Sequence, residues 1–216
     1  MSLIVIEGLD GSGKATHAEI LAERKRKAGE TVRKITFPNY ESESSALIKT
    51  YLSGALGGLN QVNVYAVSSF YASDRYISYQ TDWKKDYLMG HTIIADRYAT
   101  SNVVHQMSRL PRVEWEEYLD WLYDYEFVRI GIPKPDKVIY LDLPPEFSQK
   151  LMLKRYGGDD SMQDIHEADL GYQETCRESA LFAAERLGWN IIACCAEQGG
   201  LLTIEEIADR IWEAAN

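Results

Sequence analysis

The sequence predicts an α/β fold: a three-layer sandwich with a central parallel five-stranded sheet, helices on both faces and a short lid. Three observations carry it. Apolar runs of strand length recur along the chain, as Leu3-Ile4-Val5-Ile6, Thr92-Ile93-Ile94-Ala95 and Val138-Ile139-Tyr140-Leu141. Segments with helical spacing separate them, and such alternation builds parallel sheets covered on both faces. Between the first strand and the first helix lies Gly8-Leu9-Asp10-Gly11-Ser12-Gly13-Lys14-Ala15-Thr16, a Gly-rich turn.

That turn sets the expectations for the rest. A strand, a Gly-rich turn and a helix in this order are the context of a phosphate-binding P-loop. Gly8, Gly11 and Gly13 let backbone N–H groups curl around phosphates, and the helix behind adds its positive end. Lys14 stands where a lysine reaches the outer phosphates, with Ser12 and Thr16 beside it. The pattern G-x-x-x-x-G-K-[ST] matches except at its last position, which is Ala15.

Helix 1 is expected over 14–28, stopped by Gly29. Residues 31–37 alternate as a second strand, ended by Pro38. Short and long helices follow over 44–52 and 62–80, then an apolar strand ending in Asp96-Arg97. Helical spacing returns over 100–106 and 113–127, the latter rich in aromatics. Pro145 opens a helix after the strand at 137–142, because a missing N–H costs little there. The chain then passes a polar loop at 156–161, a long helix over 167–187 and a last strand at 189–194. Thr203-Ile204-Glu205-Glu206 is a capping-box sequence opening the C-terminal helix. With no long linker or repeat, residues 1–216 read as one domain, its lid at about 154–166.

Composition narrows the class. The formal charge of −10 argues against a nucleic-acid polymer as partner. No stretch approaches the roughly 18 apolar residues that span a membrane. The 3 cysteines suit no metal site. They are expected as reduced thiols in a cytoplasmic protein.

Ligands of such sheets bind beyond the carboxyl ends of the strands. The P-loop, Phe37-Pro38 and Asp96-Arg97-Tyr98 all fall there. Asp96 is a candidate Mg²⁺ ligand, or an N-cap for the next helix. Arg97 is a candidate phosphate clamp, or a structural ion pair. Lys150, Lys154 and Arg155 are a candidate basic lid, or a solvated helix face.

Taken together, several motifs resemble the thymidylate kinase family of P-loop nucleoside monophosphate kinases. They are Ile6-Glu7-Gly8-Leu9-Asp10-Gly11-Ser12-Gly13-Lys14, Phe37-Pro38, Phe70-Tyr71-Ala72-Ser73-Asp74-Arg75, Asp96-Arg97-Tyr98 with Ser101 and Gln106, and Gly131-Ile132-Pro133-Lys134-Pro135-Asp136. The resemblance spans nearly the whole chain. It implies γ-phosphoryl transfer from ATP, with Mg²⁺, to a nucleoside monophosphate, typically dTMP, in a homodimeric enzyme. It places Asp10 near the acceptor sugar, Lys14 on the transferred group, Arg97 on the acceptor phosphate, and Phe70 and Arg75 on the base. With no arginine in the P-loop, it gives the transition-state charge to Lys154 and Arg155 of the lid. Two departures stand out. Ala15 replaces the hydroxyl that usually ligates Mg²⁺. Tyr40 stands at a place, after Phe37-Pro38-Asn39, where many members carry a phosphate-binding arginine. A kinase of another monophosphate or of a deoxynucleoside, and a poorly active nucleotide sensor, are the competing expectations.

Overall fold

The structure is a computed structural model describing residues 2–58, 61–155, 170–196 and 198–216, with the backbone alone at 154 and 155. The strands β1 (Ser2–Gly8), β2 (Val32–Thr36), β3 (Thr92–Asp96), β4 (Lys137–Asp142) and β5 (Asn190–Ala193) form one sheet in the order β2-β3-β1-β4-β5. Every pairing is parallel, as the alternation predicts. The central β1 is buried along nearly its whole length. Leu3 and Val5 enter one core, Ile4 and Ile6 the other. A continuous apolar run rather than an alternating one is what a strand covered on both faces requires.

The helices are α1 (Lys14–Lys27), α2 (Ala46–Leu52), α3 (Val64–Ser78), α4 (Lys84–Leu88), α5 (Thr100–His105), α6 (Trp115–Tyr123), α7 (Pro145–Arg155), α8 (Leu170–Leu187) and α9 (Ile204–Ala215). Ala18, Leu21 and Ala22 of α1 pack on the sheet beside Ile207 and Ile211 of α9. Arg24 ties the two helices by donating to Glu205 at 2.6 Å and Asp209 at 2.8 Å. The capping box of Thr203 and Glu206 opens α9 as the sequence indicates.

Two long helices expected from spacing are interrupted. The stretch 62–80 becomes α3 followed by a π-helical turn, Tyr79–Trp83. The stretch 113–127 becomes α6 and a π-helical segment, Asp124–Ile130, closed by Gly131 in the left-handed region. Such wide turns rotate later side chains off the regular helical face. The second of them turns Glu126 into the core, fully buried.

Register levels the strand ends. Asp96 pairs with Thr36 on one side and Ile6 on the other. The carboxyl ends of β2, β3 and β1 therefore open onto one rim, where the P-loop, Phe37-Pro38 and Arg97 all emerge. No helix among the described residues is long and apolar enough to cross a membrane.

Candidate active site

The first polar group on the rim is the P-loop. Gly13 caps α1 at φ 83°, and Gly11 holds φ 81°. A Cβ at Gly11 would lie 2.8 Å from the Ser148 carbonyl of α7 and 2.9 Å from Met152 Cγ. Ser148 also donates its hydroxyl to the Asp10 carbonyl. The helix leading toward the expected lid thus rests directly on the loop, and only glycine fits there.

Lys14 turns back into the loop. Its Nζ donates to the Leu9 carbonyl at 2.8 Å and lies 3.7 Å from Asp10. Burial, then Arg97, lower its pKa, against the pull of Asp10, Glu7 and Asp96. Ala15 and Thr16 are exposed beside it and, with Gly11 and Gly13, line the same cavity. Gly8 and Ser12 are buried behind the loop.

Arg97 is the hub of the rim. It stands in the left-handed region at φ 67°, uncommon outside glycine. Its N–H bonds the Ile6 carbonyl at 3.1 Å, so the chain leaves β3 by a sharp turn that aims the guanidinium back across β1. Arg97 pairs with Asp10, donates to His105 Nε2 at 2.9 Å, and sits 3.7 Å from Glu7. Glu7 is fully buried and accepts from Thr100 at 2.9 Å and Ser101 at 2.7 Å. Burial pushes the Asp10 carboxyl up, but Arg97, Lys14 and His105 outweigh it and hold the group below the ordinary carboxylate range. The same carboxylates, with Asp96, overcome burial to raise the Arg97 pKa. The ion-pair expectation for Arg97 is met, and the same guanidinium lines the cavity, where the clamp expectation would place it. Asp96 is no helix cap, since Ala99 precedes α5 without a side-chain cap bond. It lies half-buried on the cavity wall.

That cavity, of about 670 Å³, runs without a break from Gly11 and Lys14 past Asp96, Arg97 and Ser101. Phe37, Pro38, Tyr40, Tyr71, Arg75, Asn102 and Gln106 line the same cavity. Rings and amides that share one cavity with anion-binding groups have the chemistry of a nucleotide site. Gln106 is buried, and its Oε1 accepts from Arg109 at 2.6 Å. Phe70 lies outside the lining, and Tyr71 takes the wall instead. Tyr71 and Arg75 are four residues apart and share a helix face; Phe70 and Arg75 do not.

Lys150 is exposed, its Nζ 5.3 Å from the ring centre of Phe147, and it lies outside the lining. The expected basic lid, with the side chains of Lys154 and Arg155, lies outside the described residues. Sequence reasoning missed Glu7, Tyr71, Asn102, His105 and Glu126 as members of the site or its support. A charged residue closing an otherwise apolar strand was the one available signal, and it pointed to Glu7.

Known proteins resemble this chain in sequence. A family model described as thymidylate kinase matches residues 6–206. A thymidylate kinase of Mycobacterium tuberculosis (strain ATCC 25618 / H37Rv) is 32% identical over 205 residues, covering 92% of this chain and 94% of the relative. A probable thymidylate kinase of Thermococcus onnurineus (strain NA1) is 32% identical, covering 85% and 84%. The Homo sapiens thymidylate kinase is 31% identical over 66% of this chain and 61% of its own. Matches of this extent, over a P-loop whose lysine and Arg97 open into one nucleotide-shaped cavity, establish that the chain belongs to the thymidylate kinase family.

Proposed function

We propose that the protein transfers the γ-phosphoryl group of ATP to dTMP, giving dTDP. The carrying observation is the single cavity that joins Lys14 to Arg97 and ends at Phe37, Tyr71 and Arg75. Lys14 neutralises charge on the transferred group, and Arg97 clamps the acceptor phosphate. Asp10, bound to Arg97, orients that clamp and stands near the acceptor sugar. Catalysis in this scheme is positioning and charge neutralisation, with no covalent intermediate on the protein. Arg155 and Lys154 are assigned the lid side of the transition-state charge on the family likeness alone.

The donor set fits Mg²⁺. Asp96 offers a carboxylate on the cavity wall, and Mg²⁺ takes few protein ligands, keeping water and phosphate oxygens. When bound, the ion would neutralise charge on the donor phosphates. Because Ala15 is exposed at the loop, Ala15→Ser adds a hydroxyl without disturbing packing. It is expected to lower the Mg²⁺ concentration for half-maximal activity at fixed ATP. An unchanged or raised requirement would show a site built around alanine.

A homodimer, a cytoplasmic location and a one-domain chain with its lid at about 154–166 belong to the same reading, on family likeness and on three free thiols. The test of the acceptor is a coupled ADP-release assay with ATP-Mg²⁺ against a panel of monophosphates and nucleosides. dTMP is expected to lead, and dUMP to trail, because a missing methyl costs roughly 1 kcal/mol or somewhat more in an apolar pocket. Purine monophosphates are expected to fail on size. If AMP, GMP or an unphosphorylated nucleoside leads instead, the acceptor is wrong although the fold stands.

A further inference from the structure

Behind the base end of the cavity lies an ion pair that the phosphoryl-transfer scheme does not use. Glu126, fully buried on the π-helical segment, receives Arg75 Nε at Oε2, 3.1 Å away, and Arg75 Nη2 at Oε1. The same Oε1 accepts from Asn102 Nδ2 at 3.2 Å. Two cavity-lining side chains from different helices, α3 and α5, are therefore held by one carboxylate.

Each is left with a defined face. Arg75 spends Nε and Nη2 on Glu126, and among the described residues its Nη1 makes one long contact, of 3.5 Å, to the Tyr98 carbonyl. A guanidinium donates and never accepts. The Asn102 amide nitrogen donates both to Glu126 and, at 3.3 Å, to the Ser68 carbonyl. Those partners fix the amide orientation. Its Oδ1 takes no hydrogen bond among the described residues and is the acceptor left for the cavity.

We infer that Glu126 is the positioning residue for base choice, holding Arg75 as a donor and Asn102 as an acceptor side by side. That pair matches a pyrimidine carrying a 4-oxo group beside a protonated ring nitrogen, as in thymine or uracil. It mismatches cytosine, which presents an amino donor at the same edge. Without the carboxylate, the Asn102 amide is held by the Ser68 carbonyl alone at 3.3 Å, so its orientation is weakly fixed, and the guanidinium loses its two-point anchor. The inference rests on the acceptor assignment above and deepens it.

The experiment compares kcat/KM for dTMP and dCMP in the wild-type chain, Glu126→Gln and Glu126→Asp, with thermal unfolding of each. Glutamine keeps the size but turns an N–H₂ toward one of its two partners. A site built to hydrogen-bond its substrate rejects an analogue that cannot make the bond by about 10⁴ or more, because its own polar groups are left unpaired. The preference for dTMP over dCMP is expected to fall by about tenfold or more in Glu126→Gln, with KM for dTMP rising more than kcat falls. Glu126→Asp, which keeps the charge, is expected to recover part of the preference. A purely structural carboxylate would lower the unfolding temperature and leave the ratio unmoved. An unchanged ratio in a folded variant, or failure of both variants to fold, overturns the inference. Failure of the wild-type chain to phosphorylate dTMP rejects the acceptor assignment instead.

Discussion

Lys14→Met lowers turnover by about a hundredfold or more while the fold survives. Lys14 is 7% exposed, yet among the described residues its Nζ has the Leu9 carbonyl as its close partner and Asp10 farther off, at 3.7 Å. Burial and the neighbouring Arg97 disfavour its charge. Phosphate oxygens are the partners that would make that charge favourable. Methionine keeps an unbranched stem for the buried space and removes only the ammonium. Asp10 retains Arg97 as its counter-ion in the variant, so no carboxylate is stranded. Steady-state turnover at saturating ATP and dTMP, with circular dichroism and thermal unfolding as controls, reads the outcome. Near-normal turnover in a folded variant would remove the P-loop lysine from the mechanism.

What could be read from the sequence depended on how far apart the partners lie. The P-loop was legible because its chemistry is contiguous: Gly8 to Thr16 carry turn, charge and helix start in nine consecutive positions. The strands were legible because burial on both faces leaves an uninterrupted apolar run. Arg97 was legible as a charge closing such a run. Its partners were less so, since Glu7 meets Thr100 and Ser101 only through the parallel register of β1 and β3. The choice between Phe70 and Tyr71 needed the phase of α3, which two adjacent aromatics leave ambiguous. Glu126 was hidden for a stronger reason. It sits on a π-helical segment, where the regular period used to assign faces does not apply. Its partners, Arg75 and Asn102, come from two other helices.

Arg97→Met is expected to lower kcat/KM for dTMP by about a hundredfold or more, a larger loss than removal of one attractive contact predicts. The reason lies in what the guanidinium covers. Glu7 is fully buried, 3.7 Å from Arg97, and Asp10 is bound to it directly. Removing the cation leaves these two carboxylates, one on the cavity wall and one buried behind it, uncompensated beside the space a phosphate dianion must enter. Repulsion is added to lost attraction. Asp10 is also released from the main group that offsets its burial, so its pKa rises toward the ordinary range. The effect should fall on the acceptor side. KM for dTMP rises steeply, while ATP affinity, measured by equilibrium titration without acceptor, stays within about threefold, since donor phosphates rest chiefly on the P-loop. Adding Asp10→Asn to Arg97→Met removes one of the exposed charges, and the dTMP KM is expected to fall back partway. Coupling of this kind is normal for side chains in direct contact. An equal loss of ATP affinity in Arg97→Met would move the guanidinium to the donor side and undo its assignment as the acceptor clamp.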